Sequence, residues 1–432
     1  MNKLIFTFIA LFFLNNCSFN ENSRIWKDKE NKLETDKKIT KVFAEENISV
    51  SEFNRDLKLD LSSIKINNKK NENQNNLGLQ NYKGELAKIG NFKFSKLEEI
   101  NQLDFEPIFL NNGIIFFDKK GSIIRYDNNQ KVIWKKNHYS KSEKKLKPIL
   151  QFVNNEKYLV VTDNIAKSYM LDIESGNLIW SKNNLAPFNS QIKIFEDKFF
   201  VIDLSNTLRC FSIKDGNELW YVKTENSLIR SQKKLSMVIV DDKIYFNNSI
   251  GDISAVDINK GDLLWQLPTQ SSLIYESAFS LQTSDLISDK ETLFFSNNKN
   301  QFFSIDIKSG SFNWKNKINS SLKSTLIGDY LISVSLEGYL IITEKRSGNI
   351  IRVTDIFQNF KMKKRVNIKP TGFVVGLKKI YLSTSNGRLL IIDIASGKTI
   401  SILKIDNEKI SKPFIQNKNL FLIKDNAIIR LN

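Results

Sequence analysis

The chain has 432 residues, of which 41% are hydrophobic and 31 are phenylalanine. This composition can bury a large core, so it excludes a protein that is disordered throughout. The formal net charge is +17, but only ten of the 64 basic residues are arginine and the lysines are scattered along the chain. Because nucleic-acid recognition usually relies on clustered arginine with stacking aromatic residues, the charge does not indicate a nucleic-acid-binding protein. A solvated, lysine-rich surface explains the net charge. A basic surface that lies near an anionic membrane is the alternative.

The N-terminus predicts a signal peptide over residues 1–16. A lysine precedes the apolar run 4–14, which is too short to span a bilayer and is typical of a secretory signal. The following LNNC sequence (14–17) resembles the lipobox of bacterial lipoproteins, which implies a lipid attached to Cys17. The residue after Cys17 is Ser18 and not aspartate. By resemblance to the sorting rule of bacterial lipoproteins, this favours attachment to the outer membrane, with the protein facing the periplasm. The alternative is an ordinary signal peptide with an incidental cysteine.

The residues after the signal peptide predict a tether. Residues 17–88 are polar and include the low-complexity stretch NNKKNENQNNLG (67–78), so we expect a lipidated, largely disordered segment. No other apolar run reaches membrane-spanning length. The only cysteines are Cys17 and Cys210. A lipid on Cys17 would exclude a disulfide, and Cys210 is then predicted to be a small buried strand residue.

Residues 89–432 repeat one short unit, a β-type run followed by Asp-x-x-x-Gly-x-x-x-Trp. It reads LDIESGNLIW at 171–180 and returns, with variation, at intervals of 38 to 49 residues. This period with strand-type units is typical of a β-propeller and not of a helical solenoid. The repeated aromatic residues are Trp134, Trp180, Trp220, Trp265 and Trp314. The repeated turn glycines are Gly176, Gly216, Gly261, Gly310, Gly348 and Gly397.

The repeated residues have structural explanations. Glycine adopts positive φ in the turn without a steric penalty, and the aspartate before it can bond the backbone of the turn. A tryptophan on the outer strand can fill the gap between neighbouring blades. We therefore interpret the tryptophans as packing residues and not as a ligand platform.

The number of units predicts eight blades. Seven turn-plus-outer-strand units are visible, and an eighth begins in residues 417–432 but lacks its outer strand. The sequence KIGNFKFSKL (88–97) can supply that strand. The prediction is an all-β, eight-bladed β-propeller of four-stranded blades, closed by pairing of the N- and C-terminal strands. Seven blades is the alternative if the terminal segments do not pair.

The unit resembles the repeat of pyrroloquinoline-quinone (PQQ) type propellers. With the lipobox and the chain length, the sequence is similar to the scaffold lipoproteins of the outer-membrane β-barrel assembly machinery. That resemblance implies a non-catalytic periplasmic protein without a cofactor or metal. It also implies a monomer within a hetero-complex, bound to the barrel-forming subunit (BamA-like) and, as a further option, to unfolded outer-membrane protein clients. Its function would be to assist folding and insertion of β-barrel proteins.

The resemblance also implies partner-binding residues after the third complete unit. There, the family contacts the barrel-forming subunit through a hydrophobic-hydrophobic-arginine motif, which Leu228, Ile229 and Arg230 match. Ser231 stands where the family has glycine. Asp285 corresponds to an acidic residue of the next long connection. The alternative for Leu228 and Ile229 is simple strand packing.

Catalytic constellations are missing from the sequence. The chain has one histidine, no cysteine pair and no Gly-x-Ser-x-Gly elbow, so neither a hydrolase triad nor a Cys/His metal site is predicted. The interpretation is therefore that the protein is not an enzyme. Two alternatives stay open: a PQQ-dependent dehydrogenase, which would need a calcium and quinone site, and a PQQ-like propeller lipoprotein that binds cell-wall glycan or other envelope proteins.

Overall fold

A computed structural model describes residues 51–59, 78–97, 104–225, 231–270 and 280–432. The predicted signal peptide, the predicted lipidation site Cys17 and the motif residues Leu228, Ile229 and Arg230 lie outside the described residues. In the described ranges, no helix has the length and apolar character that crossing a bilayer requires.

The chain forms eight antiparallel sheets of four strands, numbered here as blades 1–8 in chain order. Strand β1 (Lys88–Lys93) precedes blade 1. Blade 1 contains β2 (Ile108–Leu110), β3 (Gly113–Phe117), β4 (Ile123–Asp127) and β5 (Val132–Lys136). Blade 2 contains β6 (Leu150–Asn154), β7 (Tyr158–Asp163), β8 (Lys167–Asp172) and β9 (Leu178–Asn183). Blade 3 contains β10 (Lys193–Phe195), β11 (Lys198–Ile202), β12 (Thr207–Ser212) and β13 (Glu218–Lys223). Blade 4 contains β14 (Met237–Val240), β15 (Lys243–Asn247), β16 (Ile253–Asp257) and β17 (Leu263–Leu267).

The second half of the chain repeats this arrangement. Blade 5 contains β18 (Ile287–Ser288), β19 (Thr292–Asn297), β20 (Gln301–Asp306) and β21 (Phe312–Asn316). Blade 6 contains β22 (Thr325–Ile327), β23 (Tyr330–Val334), β24 (Tyr339–Glu344) and β25 (Ile350–Asp355). Blade 7 contains β26 (Pro370–Val375), β27 (Lys379–Thr384), β28 (Arg388–Asp393) and β29 (Thr399–Lys404). Blade 8 contains β30 (Phe414–Gln416), β31 (Asn419–Lys424), β32 (Ala427–Leu431) and β1.

The ring closes at blade 8, whose outer strand comes from the other end of the chain. Strand β1 pairs antiparallel with β32, and Asn91 lies opposite Ile429. Tyr82 adds a hydrogen bond from its hydroxyl to the carbonyl oxygen of Asn432, 2.9 Å long. The prediction of eight blades closed by terminal strands is confirmed. Closure gives blade 8 its fourth strand, so that β32 is paired on both sides and is not left as an exposed edge.

The first strand of each blade lines the axis of the ring. Strands β2, β6, β10, β14 and β18 contact the first strand of the neighbouring blade. The middle strands are buried on both faces, as in β7 and β12, because each blade packs between two others. Cys210 in β12 is fully buried, and burial raises the pKa of its thiol to about 12. Apolar side chains between neighbouring blades form the core.

The strand order gives the ring two different faces. Connections from the outer strand of one blade to the inner strand of the next lie on one side, which we call the connection face. The short turns after the first and third strands lie on the opposite side, which we call the turn face. Two short helices, α1 (Lys141–Lys145) and α2 (Met362–Arg365), belong to the connection face.

Parts of the predicted tether pack on the propeller. Phe53 forms an antiparallel bridge with Val353 on the outer strand of blade 6. Leu59 and Leu79 are 8% and 4% exposed and join the apolar core of blades 6 and 7. The amide of Gln80 donates to the carbonyl of Val375 over 3.0 Å. Residues 51–59 and 78–87 therefore bury apolar side chains against the ring, whereas the predicted domain boundaries and the lipidation of the tether stay predictions.

Candidate functional site

The five repeat tryptophans connect successive blades. Each indole Nε1 donates a hydrogen bond to a backbone carbonyl in the third turn of the next blade. The bonds run from Trp134 to Ile173 (3.0 Å), Trp180 to Ile213 (2.8 Å), Trp220 to Ile258 (3.2 Å), Trp265 to Ile307 (3.2 Å) and Trp314 to Lys345 (2.9 Å). Each indole also covers the turn glycine of that next blade, namely Gly176, Gly216, Gly261, Gly310 and Gly348. The rings are packing elements between blades.

Arginine takes the tryptophan position in blade 6. Arg352 is fully buried, and its Nη2 donates to the carbonyl of Ile394 over 2.9 Å, the position that receives the indole bond in the other blades. Its Nη1 donates to the carbonyls of Ala395 and, over 2.9 Å, Leu57. The guanidinium therefore joins blade 7 and the N-terminal segment to blade 6, and it also covers Gly397.

The repeated aspartates cap their own turns. Asp172 accepts hydrogen bonds from the amide and hydroxyl of Ser175, at 2.8 and 2.7 Å. Asp306 accepts the equivalent pair from Ser309, both at 2.8 Å. These bonds hold the carboxylates in the hairpins as turn caps. The repeated residues thus serve the fold, and residues that differ between blades are the candidates for function.

Two neighbouring connections carry the predicted partner-binding residues. One runs from blade 3 to blade 4 and the other from blade 4 to blade 5. The hydroxyl of Ser231, directly after the Leu228-Ile229-Arg230 motif, donates to the carbonyl of Leu281 over 2.5 Å. The amide of Leu286 donates to the hydroxyl of Ser236 over 2.8 Å. The described ends of the two connections are thus bonded to each other on the connection face.

Asp285 lies in the axis of the ring, at the start of the inner strand of blade 5. Its side chain is 12% exposed. Its carboxylate accepts a hydrogen bond from Nε2 of Gln191 over 3.0 Å and lies 4.0 Å from Nζ of Lys412. The structure therefore places Asp285 inside the channel and not on the outer surface of its connection. Its role in partner binding stays a prediction.

Asp285 belongs to a larger group of polar side chains in the axis, the channel network. The group adjoins a cavity of about 1140 Å³ that extends along the axis to the first turns of blades 1, 2 and 8. Its members come from the connection that closes the ring and from blades 3, 4, 5, 6 and 8. They are Asp104, Glu106, Gln191, Lys193, Lys233, Lys234, Asp285, Lys323, Lys409 and Lys412.

Ion pairs in the channel network cross between blades. Nζ of Lys233 lies 3.0 Å from Oδ2 of Asp104, and Nζ of Lys412 lies 2.5 Å from Oε1 of Glu106. Lys234 lies 3.5 Å from the same Glu106 oxygen. Because Asp104 and Glu106 lie on the closing connection, these pairs attach it to blades 4 and 8 across the axis.

Burial and charge shift the pKa values in the network. Burial would raise the pKa of Glu106, but the ammonium groups of Lys234 and Lys412 hold it well below its usual range. Asp104 behaves in the same way beside Lys233. Burial and the neighbouring Lys323 lower the pKa of Lys193 to about 7. Burial lowers the pKa of Lys323 to about 8, although Asp285 opposes that shift. The two lysines are thus held where their charged forms are poorly stabilised.

Sequence reasoning missed this network, although a signal was present. Glu106, Asp285, Lys323 and Lys412 each stand two residues before the first strand of their blade, and Gln191 has the same position in blade 3. In a propeller, equivalent positions converge on the axis, so charged residues at this repeat position indicate a polar channel. The strands that they precede are only two or three residues long, which conceals the pattern.

The carboxylates of the channel are engaged by lysine and amide groups. Asp104 and Glu106 pair with ammonium groups, and Asp285 accepts from Gln191. Over the described ranges, no group of three or more His, Cys, Asp or Glu residues is placed to hold a metal ion. This donor set, rich in ammonium groups, does not fit a calcium site, which needs converging oxygen ligands.

The fold and the tryptophan-docked turns define an eight-bladed propeller of the PQQ-like class. The chain belongs to the family described as outer membrane protein assembly factor BamB, whose family model matches residues 119–354, more than half of the chain. Among curated proteins, no sequence matches this one.

Solved structures show the same fold at low identity. BamB from Moraxella catarrhalis is 18% identical with a TM-score of 0.65, over 80% of this chain and 99% of that one. A europium-containing methanol dehydrogenase is 9% identical with a TM-score of 0.61, over 82% and 88%. A computationally designed protein, Ika8, is 12% identical with a TM-score of 0.59, over 78% and 99%. The fold is therefore shared by a BamB protein, an enzyme and a designed protein, and it does not by itself decide the function.

Proposed function

We propose that this protein is a non-catalytic, lipid-anchored scaffold of the outer-membrane protein assembly machinery, facing the periplasm. Membership of the BamB family supports the assignment to that machinery. The partner would be the barrel-forming subunit, held through loops of the rigid ring so that incoming outer-membrane proteins are received. The lipid on Cys17 would keep the ring at the membrane, with the described body outside the bilayer.

The observation that carries the proposed interface is the bond between Ser231 and Leu281. It holds together the connections that contain the two predicted partner-binding elements. A partner surface could then contact the described ends of both connections at once. In this proposal Leu228, Ile229 and Arg230 contact the partner, and Asp285, the further predicted contact, lies in the channel beside Gln191 and Lys412.

The channel network supports a binding protein over an oxidoreductase. Lysine ammonium groups occupy the carboxylates that could otherwise serve as metal ligands or as a general base. Dehydrogenases of the same fold show that such chemistry can be built on a propeller, but their likeness to this chain concerns the fold alone.

The test is affinity purification of the tagged chain from native membranes. We expect a large barrel protein with periplasmic repeats to co-purify with it. Arg230→Glu should reduce that yield at least about tenfold, as loss of one interface arginine worth about 1.4 kcal/mol or more requires. Lys363→Glu, which makes the same change on the exposed helix α2 of the connection face, is the matched control.

Equal yields for the wild type, Arg230→Glu and Lys363→Glu would remove the proposed interface. Absence of any barrel protein from the wild-type purification would remove the proposed function. Thermal unfolding of each variant should match the wild type, so that a lost partner is not confused with a lost fold.

A further inference from the structure

Blade 8 packs against blade 1 through strands β1, β31 and β32 on its side and β2 and β3 on the other, a contact surface that we call the closing seam. In blade 2, Tyr158 and Trp180 pack against the apolar core shared with the next blade. The strand pairing places Asn419 and Gly90 at these two positions of blade 8. The closing seam therefore lacks two large side chains that the contact between blades 2 and 3 contains.

A cavity of about 210 Å³ lies in the closing seam. Its apolar walls include Phe92 and Phe421 from blade 8 and Phe109 and Leu110 from blade 1. For comparison, an apolar cavity of about 150 Å³ holds one benzene molecule. The closing seam thus has room for a single aromatic ring that carries a small substituent.

Arg430 supplies a positive charge to this cavity. It is the only charged residue among the described residues that line the cavity, and no carboxylate of the described ranges forms an ion pair with it. Its Nη1 donates to the carbonyl of Asn128 over 3.0 Å, and its Cζ lies 5.8 Å from the ring centre of Phe92. Its Nε is buried and has no acceptor within the part of the chain that the structure describes. Because arginine is always charged and a buried donor without an acceptor costs free energy, an anionic ligand would stabilise this side chain.

We propose that the closing seam binds a small aromatic carboxylate, with the carboxylate on Arg430 and the ring between the apolar walls. Hydrogen bonds from a guanidinium to a carboxylate are charge-assisted and strong, and aromatic walls favour a ring over an alkyl chain. The cavity is also lined by Asn128 and Asn417, which belong to turns of the turn face. The site is therefore separate from the connections proposed to bind the barrel-forming subunit, and it does not depend on that proposed function.

Ligand-detected NMR titration of the purified full chain at pH 7 and fixed ionic strength tests the proposal. The probes are benzoate, benzyl alcohol, which has the ring without the charge, and acetate, which has the charge without the ring. We expect saturable binding of benzoate and at least about tenfold weaker binding of the other two. Benzyl alcohol or acetate binding as tightly as benzoate, or no saturable binding of benzoate, overturns the proposal.

Arg430→Met tests the contribution of the charge. This variant keeps an unbranched apolar side chain and removes the guanidinium, so it should weaken benzoate binding about tenfold or more and leave benzyl alcohol binding unchanged. Arg388→Met is the matched control, because Nη1 of Arg388 also donates to a loop carbonyl, that of Asp406 at 2.7 Å, but Arg388 does not line the cavity. Benzoate binding should be the same in this control as in the wild type.

Asn419→Tyr tests the location of the ring. Tyrosine is the residue that blades 2 and 6 have at this position, Tyr158 and Tyr330, so the propeller accommodates it there. Its ring should occupy part of the cavity and weaken benzoate binding about tenfold or more, although Arg430 is retained. Thr292→Tyr makes the same residue at the same position of blade 5 and should leave binding unchanged.

Thermal unfolding of each variant separates a lost site from a lost fold. Arg430→Met also removes the hydrogen bond to Asn128, so Asn419→Tyr carries the test if the former variant does not fold. The comparison of the three probes on the wild type needs neither variant. Benzoate binding of wild-type strength in folded Arg430→Met or in folded Asn419→Tyr overturns the proposal.

Discussion

The indole of Trp180 fills the space that Gly216 of the next blade leaves open. A Cβ atom at Gly216 would stand 2.7 Å from Cε3 and Cζ3 of the ring. The same glycine has φ +69°, a conformation that L side chains rarely adopt. One residue thus meets a requirement of its own turn and a requirement of the neighbouring blade, which explains why glycine and tryptophan recur together in the sequence.

Gly216→Ala should therefore destabilise the ring. The left-handed backbone costs about 1–2 kcal/mol with a side chain, and the clash with the indole about 1–3 kcal/mol more. We expect urea denaturation to give a free energy of unfolding lower by roughly 2–5 kcal/mol. Gly90→Ala is the control, because its φ is not positive and its new Cβ would stand 3.1 Å from Cβ and 3.2 Å from Nε of Arg430, farther than the indole atoms stand from Gly216. An equal loss in both variants would contradict this explanation.

Arg352 is expected to hold the N-terminal segment on blade 6. Arg352→Met leaves the carbonyls of Leu57, Ala395 and Ile394, the last of them buried, without these donors, and should cost roughly 3–5 kcal/mol of folding free energy. Hydrogen exchange should become faster in residues 51–59. Arg352→Trp can restore a bond to Ile394 but not the one to Leu57, so it should recover stability and leave the fast exchange. Unchanged exchange in both variants would show that other contacts hold the segment.

Lys193 should make stability rise with pH. Its folded pKa of about 7 lies below the ordinary value of 10.5, so between these limits the unfolded chain binds more protons than the folded one. The contribution of Lys193 to folding is therefore least favourable below pH 7 and improves as the pH rises toward 10.5. The facing groups are Lys323, Glu106, Asp285 and Lys412.

Lys193→Met should remove that part of the pH dependence. We expect the variant to be at least as stable as the wild type at pH 7, by up to about 1–3 kcal/mol, because a buried charge gives way to an apolar side chain of similar volume. The free energies of unfolding of the variant and the wild type should converge near pH 10. Denaturation of both chains in phosphate-free buffer at several pH values makes the comparison. If the difference in free energy of unfolding between the two chains were the same at every pH, Lys193 would be charged in the folded protein throughout this pH range.

Ser231 should couple the two connections of the proposed interface. Ser231→Ala removes the hydrogen bond to the carbonyl of Leu281 and should lower stability by about 1–2 kcal/mol. Hydrogen exchange near residues 280–286 should rise, and co-purification of the barrel protein should fall. Ser347→Ala, in an exposed turn of the turn face, should do neither. If hydrogen exchange became faster but the yield of the barrel protein did not fall, the bond between the two connections would not contribute to partner binding.

Cys17 is the predicted lipidation site. Cys17→Ala should leave the signal-bearing chain unable to receive a lipid, and fractionation should then find the protein in the soluble fraction of the envelope. A lipid anchor on the membrane resists salt, whereas electrostatic attachment of a basic protein does not. Retention of Cys17→Ala in the membrane after a high-salt wash would therefore contradict anchoring through this residue.

The sequence predicted the architecture because a propeller repeats its local chemistry. Gly176 and Trp180 recur with their neighbours at a nearly fixed period, and each recurrence is a local turn signal followed by a strand. The eighth blade was predictable because the terminal segments 88–97 and 417–432 were complementary halves of one unit. Asp285 was identified as a residue of interest, but its position in the axis was not foreseen.

The sequence by itself determined the blade count, the ring closure and the structural nature of the repeated residues, because these depend on short-range patterns. Only the tertiary structure decided what meets in the axis. Lys233 pairs with Asp104, and Lys412 pairs with Glu106. Two lysines that are far apart in the sequence are therefore joined through the carboxylates of one closing connection. No local pattern encodes such neighbours, because closing the ring brings residues from six parts of the chain to one axis. The charged side chains become neighbours only in the folded ring.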